Sequence, residues 1–235
     1  MSEIVDRCRI FGETPAAVER IAPGFFPKAL EAAHVTRYRW AARYVNGLRV
    51  LDVACGTGYG TEILRAAGTR EVVGVDINAD ALTFGVARHG LRAIRGDAQA
   101  LPFAARTFDA AVSFETVEHL ADPKRFLQEV CRILQPGGVL ILSTPNAELA
   151  SGYNPYHLNE LTLPQLLDLC GSTGFVSRQI RGQNWRLRGS AFDRIRGFRR
   201  FAYLIQRQPA IWRLPTAVAR PCYLCMRLER TPLDA

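Results

Sequence analysis

Nowhere in this 235-residue chain do about 18 apolar residues run without interruption, the length a bilayer-spanning helix needs. The opening residues, Met-Ser-Glu-Ile-Val-Asp, show no basic-then-apolar targeting pattern. Both absences lead to the expectation of a cytoplasmic protein. Cysteine is scarce: six residues, at positions 8, 55, 131, 170, 222 and 225, are too thinly spread for a disulfide scaffold. Cys222 and Cys225 form a C-x-x-C, but no second pair stands at zinc spacing, and the intervening Tyr223-Leu224 reads as packed strand, so reduced structural thiols are expected. There is no internal repeat and no low-complexity tract. Net charge is missing from most of the chain as well. Residues 185–220 hold nine arginines against one acid, Asp193, which accounts for the whole formal +8. The remainder is neutral and, in a chain with 48% apolar and 22% charged residues, has the make-up of one globular domain.

What is present is concentrated between residues 50 and 64. A short apolar run, Val50 to Ala54, is broken only by Asp52 and is followed by Gly56, Gly58 and Gly60 at alternate positions, after which a helical pattern starts at Thr61. The pattern predicts a strand, a tight turn and a helix whose unpaired N–H groups point at whatever sits in the turn. The spacing is G-x-G-x-G, not the G-x-G-x-x-G of dinucleotide folds, and an acid stands inside the strand. Pyrophosphate would favour a positive turn. A ligand with sulfonium and ammonium groups would favour nearby carboxylates.

Further signals follow in order. Val72-Val73-Gly74-Val75-Asp76 places an acid at the end of a second strand, about 20 residues on, where a ribose-binding carboxylate is expected. Arg95-Gly96-Asp97-Ala98, Leu101-Pro102-Phe103, the apolar run Phe108 to Phe114 ending at Glu115, and Leu134-Gln135-Pro136-Gly137-Gly138 come next. Across residues 50–145 this succession resembles the class I S-adenosylmethionine-dependent methyltransferases, in the methyltransferase type 11 or ubiquinone-biosynthesis-like group. The resemblance implies an α/β fold, Rossmann-like, with a seven-stranded, mostly parallel sheet, helices on both faces and an antiparallel last strand. It also implies S-adenosylmethionine as cofactor. Asp76 would bind the ribose hydroxyls, Ile77 would lie on the adenine, and Asp97 with Ala98 would read the adenine edge. Asp52, Ala54, Gly56 and Gly58 would face the methionine half, and Arg37 and Tyr38 of a leading helix would reach its carboxylate.

Strands are predicted near 49–53, 71–76, 91–95, 108–114 and 139–144, with helices near 28–45, 59–67, 79–88 and 122–134. Strands near 175–183 and 222–230 would complete the sheet. Asp122 with Pro123 marks one helix start, and Thr162 with Gln165 another. The domain reading is an N-terminal helical lid at 1–48, a cofactor-binding core at 49–184, a basic helical insertion at 185–220 and a final strand and tail at 221–235. Within the insertion, Phe192, Ile195, Phe198, Ala202 and Ile205 fall at helical spacing with arginines largely off that stripe. Such a helix suits a substrate lid, a membrane surface or nucleic acid, or is merely a solvated face.

Chemistry is expected at Glu115-Thr116-Val117-Glu118-His119. On a helical turn Glu115, Glu118 and His119 would share a face. Carboxylates that close raise one another's pKa unless a cation lies between them. With His157 the set is similar to the metal site of small-RNA 2'-O-methyltransferases, implying Mg or Mn, with zinc also accommodated. Without a metal, His119 or His157 would act as general base, and a purely structural Glu-His pair is the remaining reading. The catalytic candidates are thus His119, His157 and Glu118, and the metal candidates Glu115, Glu118, His119 and His157. The function expected is O-methylation of a hydroxyl on a small-molecule acceptor: a glycan, natural product or lipid-linked intermediate. The alternatives are RNA 2'-O-methylation, N- or C-methylation of a small molecule, and a non-catalytic scaffold. Oligomeric state is not legible.

Overall fold

In the computed structural model the described residues are 28–148, 156–187 and 219–231. The helical stripe read at 191–205 therefore lies outside them. The chain enters through α1 (Lys28–Ala41), a 3-10 turn (Ala42–Tyr44) and β1 (Arg49–Val53). It continues through α2 (Tyr59–Ala66), β2 (Glu71–Asp76), α3 (Ala79–His89), β3 (Ala93–Arg95) and β4 (Phe108–Phe114). After a 3-10 turn (Val117–His119) come α4 (Pro123–Ile133), β5 (Leu134–Pro145), α5 (Leu163–Ser172), β6 (Phe175–Leu187) and β7 (Ala219–Arg230).

The strands form one sheet in the order β3-β2-β1-β4-β5-β7-β6. The first five pair in parallel, while β7 runs antiparallel to both β5 and β6. This is the seven-stranded, mostly parallel architecture expected, with a second antiparallel pairing at its end. Strand residues alternate between faces. Leu51, Val53, Phe108 and Leu140 join one core with Phe126, Leu127, Val130 and Ile133 of α4, all fully buried. Val50, Ala110, Val112 and Ile141 join another with Tyr38 and Trp40 of α1 and Leu64 of α2. Burying each of the large α4 side chains contributes about 1.5–3 kcal/mol, which holds the segment after β4 against the sheet.

Local signals set the helix ends. Asp122 accepts the Arg125 N–H (2.9 Å) ahead of Pro123, and the Gln165 Oε1 accepts the Thr162 N–H (2.9 Å) at the start of α5. Several boundaries differ from expectation: β5 already starts at Leu134, β6 runs on to Leu187 and β7 starts at Ala219. The leading helix stops at Ala41 and tightens to a 3-10 turn, and β3 starts at Ala93 because Leu91 N–H closes α3 on the Gly85 carbonyl (3.4 Å) and its side chain turns into the core.

Sheet order reverses between β1 and β4, so their carboxyl ends diverge and leave a crevice there.

Candidate active site

That crevice is a cavity of about 670 Å³, lined from the ends of β1, β2, β3 and β4 and roofed by α1. Its size falls within the usual range for small-molecule sites. The turn after β1 carries left-handed backbone at Ala54 (φ 57°), Gly56 (φ 54°) and Gly58 (φ 79°). A non-glycine residue there is strained by roughly 1–3 kcal/mol. Ala54 is one of three such residues among those described, and Glu115 (φ 52°) is another; both line the cavity. Asp76, at the end of β2, accepts the N–H of Gly56 (2.8 Å) and of Asn78 (2.9 Å), so one carboxylate braces the turn while it forms cavity wall. Beside it Ile77 is 59% exposed, an apolar surface left open at the cavity. Asp97 accepts the Gln99 N–H (2.8 Å), and Asp97 and Ala98 complete this end.

Not every residue read as facing the ligand does so. Asp52 is paired in register with Gly74 and Val112 and is fully buried behind the turn. It accepts from the Thr61 hydroxyl (2.5 Å) and the Tyr38 hydroxyl (3.1 Å). Burial pushes its carboxyl up to about 7, against the pull of those two hydrogen bonds. Gly58 caps α2 and sits against Leu91, where a Cβ would come within 2.7 Å of a side-chain methyl. Both shape the turn from behind instead of lining the cavity. Arg37 lies furthest from its expected place. Its guanidinium donates to Gln183 Oε1 (2.9 Å), lies 3.6 Å from Glu115 and stacks over the Tyr223 ring at 4.9 Å. It is 1% exposed and absent from the cavity wall. Burial, the largest single effect, favours its neutral form, but Glu115, Cys225, Tyr223 and Tyr59 together outweigh it and its pKa is raised. Tyr38 does line the cavity, fixed by Asp52 and by edge-on contacts with Tyr59 and Phe114.

The opposite wall holds the acid-and-histidine segment. The turn here is a 3-10 segment that begins after Glu115, not a helix passing through it, and the left-handed backbone at Glu115 sends its carboxylate elsewhere. Glu115 accepts from the Ser143 hydroxyl (3.1 Å) and pairs with Arg37. Glu118, His119 and His157 do converge: one ligand atom from each lies within 4.8 Å of the others. Glu115 stands outside that group. Glu118 is fully buried, accepts from the Thr144 hydroxyl (3.0 Å) through Oε2, and has no hydrogen-bond partner at Oε1. Burial first, then Glu115, pushes its pKa well up. Its backbone carbonyl receives the N–H groups of Leu158 (2.7 Å) and Asn159 (3.0 Å), which brings His157 alongside.

The two imidazoles meet edge to face, with centroids 4.9 Å apart. His119 Nδ1 lies 3.0 Å from the Tyr156 carbonyl, and His157 Nδ1 lies 2.8 Å from a Glu160 carboxylate oxygen. A carbonyl oxygen only accepts, so His119 Nδ1 carries the proton and, in the neutral ring, Nε2 is the basic atom. His119 lines the cavity; His157 stands behind it. Sequence reading passed over Glu160 and over His34, one turn before Tyr38 on α1. His34 lines the cavity, and burial, then Arg37, pushes its imidazole down to about 2. The i, i+4 spacing of His34 and Tyr38 was the available signal for the second. Cys225 is buried, and burial pushes its thiol up to about 12, as suits a packed strand residue.

Residues 51–142 match the family described as a methyltransferase domain. A protein of Mycolicibacterium smegmatis named "Probable S-adenosylmethionine-dependent methyltransferase" is 34% identical over 175 residues, covering 72% of this chain and 68% of its own length. A similarly named protein of Mycobacterium tuberculosis is 32% identical over 155 residues, of which this chain spans 56% of the length. A fatty-acid O-methyltransferase of Mycolicibacterium smegmatis is 41% identical over 101 residues, 41% of this chain and 37% of that one. Among solved structures, an S-adenosylmethionine-dependent methyltransferase from Mesorhizobium loti superposes with a TM-score of 0.62 at 21% identity, over 86% of this chain and all (100%) of that one. At that identity the likeness is one of fold.

Proposed function

The chain belongs to the S-adenosylmethionine-dependent methyltransferases, and from that premise we propose that it methylates a hydroxyl oxygen on a small, partly apolar acceptor, with His119 as general base. One observation carries the reading: a cavity-wall histidine whose Nδ1 proton is fixed on the Tyr156 carbonyl, leaving Nε2 as the proton acceptor. S-adenosylmethionine supplies an electrophilic methyl on a sulfonium that leaves without help. The residues present fit it, since Asp76, Ile77, Asp97 and Ala98 line one end of a cavity of suitable size. In this reading Asp76 takes the ribose hydroxyls, Ile77 the adenine face, Asp97 with Ala98 the adenine edge, and Ala54 and Gly56 the methionine half.

A hydroxyl is un-ionised near neutral pH and needs a base; a carboxylate acceptor would not. The acceptor's apolar portion has its own wall in Phe114, Leu120, Tyr156 and Leu158, the last 62% exposed. Among the relatives, one is named a fatty-acid O-methyltransferase and another, of Mycobacterium leprae, a phthiotriol/phenolphthiotriol dimycocerosates methyltransferase. Labelled methyl transfer to a set of hydroxylated and carboxylated acyl chains tests the idea. The product should be an alkali-stable ether, and His119→Ala should lower kcat by about 10²–10⁴-fold while leaving cofactor affinity within twofold. An alkali-labile ester, or undiminished kcat in the variant, would overturn it.

A second reading adds a divalent cation, Mg or Mn, held by Glu118, His119 and His157. What favours it is the buried Glu118 Oε1, which has no hydrogen-bond partner among the described residues. A buried carboxylate in that state is protonated or compensated by a cation. The proton anchors on His119 and His157 are those that orient metal-bound imidazoles. Such a cation would lower the pKa of the acceptor hydroxyl. Added Mn would then raise the melting temperature of the wild type and not of Glu118→Gln. An unchanged melting curve, with turnover indifferent to a chelator, removes the metal and leaves the base.

A further inference from the structure

The cofactor's amino-acid end carries a carboxylate as well as an ammonium, and the residue expected to meet that carboxylate is enclosed elsewhere. Arg37 is held by Gln183 and Glu115 and does not reach the cavity. From α1 and α2 the cavity is lined by His34, Tyr38 and Tyr59, the last two beside the glycine turn. Tyr38 already donates its hydroxyl proton to Asp52. We propose that His34 donates a ring N–H to the α-carboxylate of the methionine part of S-adenosylmethionine.

Three observations converge on this. First, His34 and Tyr38 are one helical turn apart on the face of α1 that covers the cavity, and Tyr38 is pinned by Asp52, Tyr59 and Phe114, so the backbone that carries His34 is fixed over the turn. Second, His34 has no hydrogen bond among the described residues, although it is half-buried where it lines the cavity. Third, Arg37 lies on the same helix, close enough for its charge to bear on the imidazole. An anion placed against His34 would feel that charge without displacing Arg37 from its partners. Burial and Arg37 keep the ring neutral, so it offers one N–H, and a bond from it to a carboxylate is charge-assisted.

The inference rests on the cofactor alone and is independent of which acceptor is methylated. Calorimetric titration of the full chain with S-adenosylmethionine and with its decarboxylated analogue tests it. The wild type should bind the analogue about 10–100-fold more weakly. His34→Ala should lose the same factor for S-adenosylmethionine and bind the analogue as the wild type does, while His34→Gln, which keeps a donor, should recover most of the loss. His34→Leu preserves the buried volume and guards against a poorly folded alanine variant, with melting curves recorded for each. Equal losses for both ligands, no loss for either, or a carboxylate-dependent loss found in Tyr59→Phe instead would overturn the assignment.

Discussion

The two ends of the cavity hold their shape by different means. At the glycine-turn end, strand termini and the turn present backbone N–H groups and the carboxylates of Asp76 and Asp97, the first of which bonds across to Gly56 and Asn78. At the histidine end, side chains position one another: Arg37 against Glu115 and Gln183, Thr144 against Glu118, Glu160 against His157. The first end is fixed once the sheet forms. The second depends on partners from β5, β6 and the 156–160 loop arriving together, and it contains buried ionisable groups whose protonation can change.

The comparison is tested most severely at Asp76. Removing its carboxylate in Asp76→Ala strips two backbone donors of their acceptor and, in our reading, the ribose of its partner. Charged hydrogen bonds contribute about 1.5–3 kcal/mol each, so cofactor affinity should fall by about 10²-fold in a binding titration. Affinity within threefold of wild type would mean that the glycine-turn end is not organised by this carboxylate.

A smaller effect is expected where the two ends share a roof. Gly60 packs beneath Tyr38 so closely that a Cβ would lie 2.0 Å from the ring's Cζ. Gly60→Ala must push Tyr38 away from Asp52, and overpacking of this kind costs about 1–3 kcal/mol, read as a lowered denaturant midpoint. An unchanged midpoint would show that Tyr38 is free to move, and with it α1.

These two regions were also unequally legible. The shape of the glycine-turn end could be read from sequence because its determinants are local: glycines that allow left-handed backbone and acids at strand ends, each within a few residues of the strand that positions it. The parallel sheet was legible for the same reason, from apolar runs alternating with capped helices. At the histidine end the segment Glu115–His119 was found but its geometry was misjudged, since the left-handed backbone at Glu115 leaves no mark in the sequence. The Arg37–Gln183 pair joins residues 146 apart in the chain, and only the fold discloses it. Arg37, a charged residue on a helix read as reaching the cofactor, is instead enclosed against Gln183 of β6.

Asp52 belongs structurally to the legible end yet behaves like the other, because it is a buried acid held by side chains. Its pKa is raised from 3.8 to about 7 by burial, so the folded protein retains a proton that the unfolded chain releases. The stability from this proton is fully present below pH 3.8 and is lost as pH rises through about 7. Within that window each unit of pH removes at most about 1.4 kcal/mol. Glu118, raised by burial and Glu115, slopes the same way, so Asp52→Asn should flatten the decline without abolishing it. Urea midpoints taken at pH 5 and pH 6 measure the difference. If wild type and Asp52→Asn lose stability in parallel over that step, Asp52 is ionised in the folded state and the Thr61 and Tyr38 hydrogen bonds outweigh its burial.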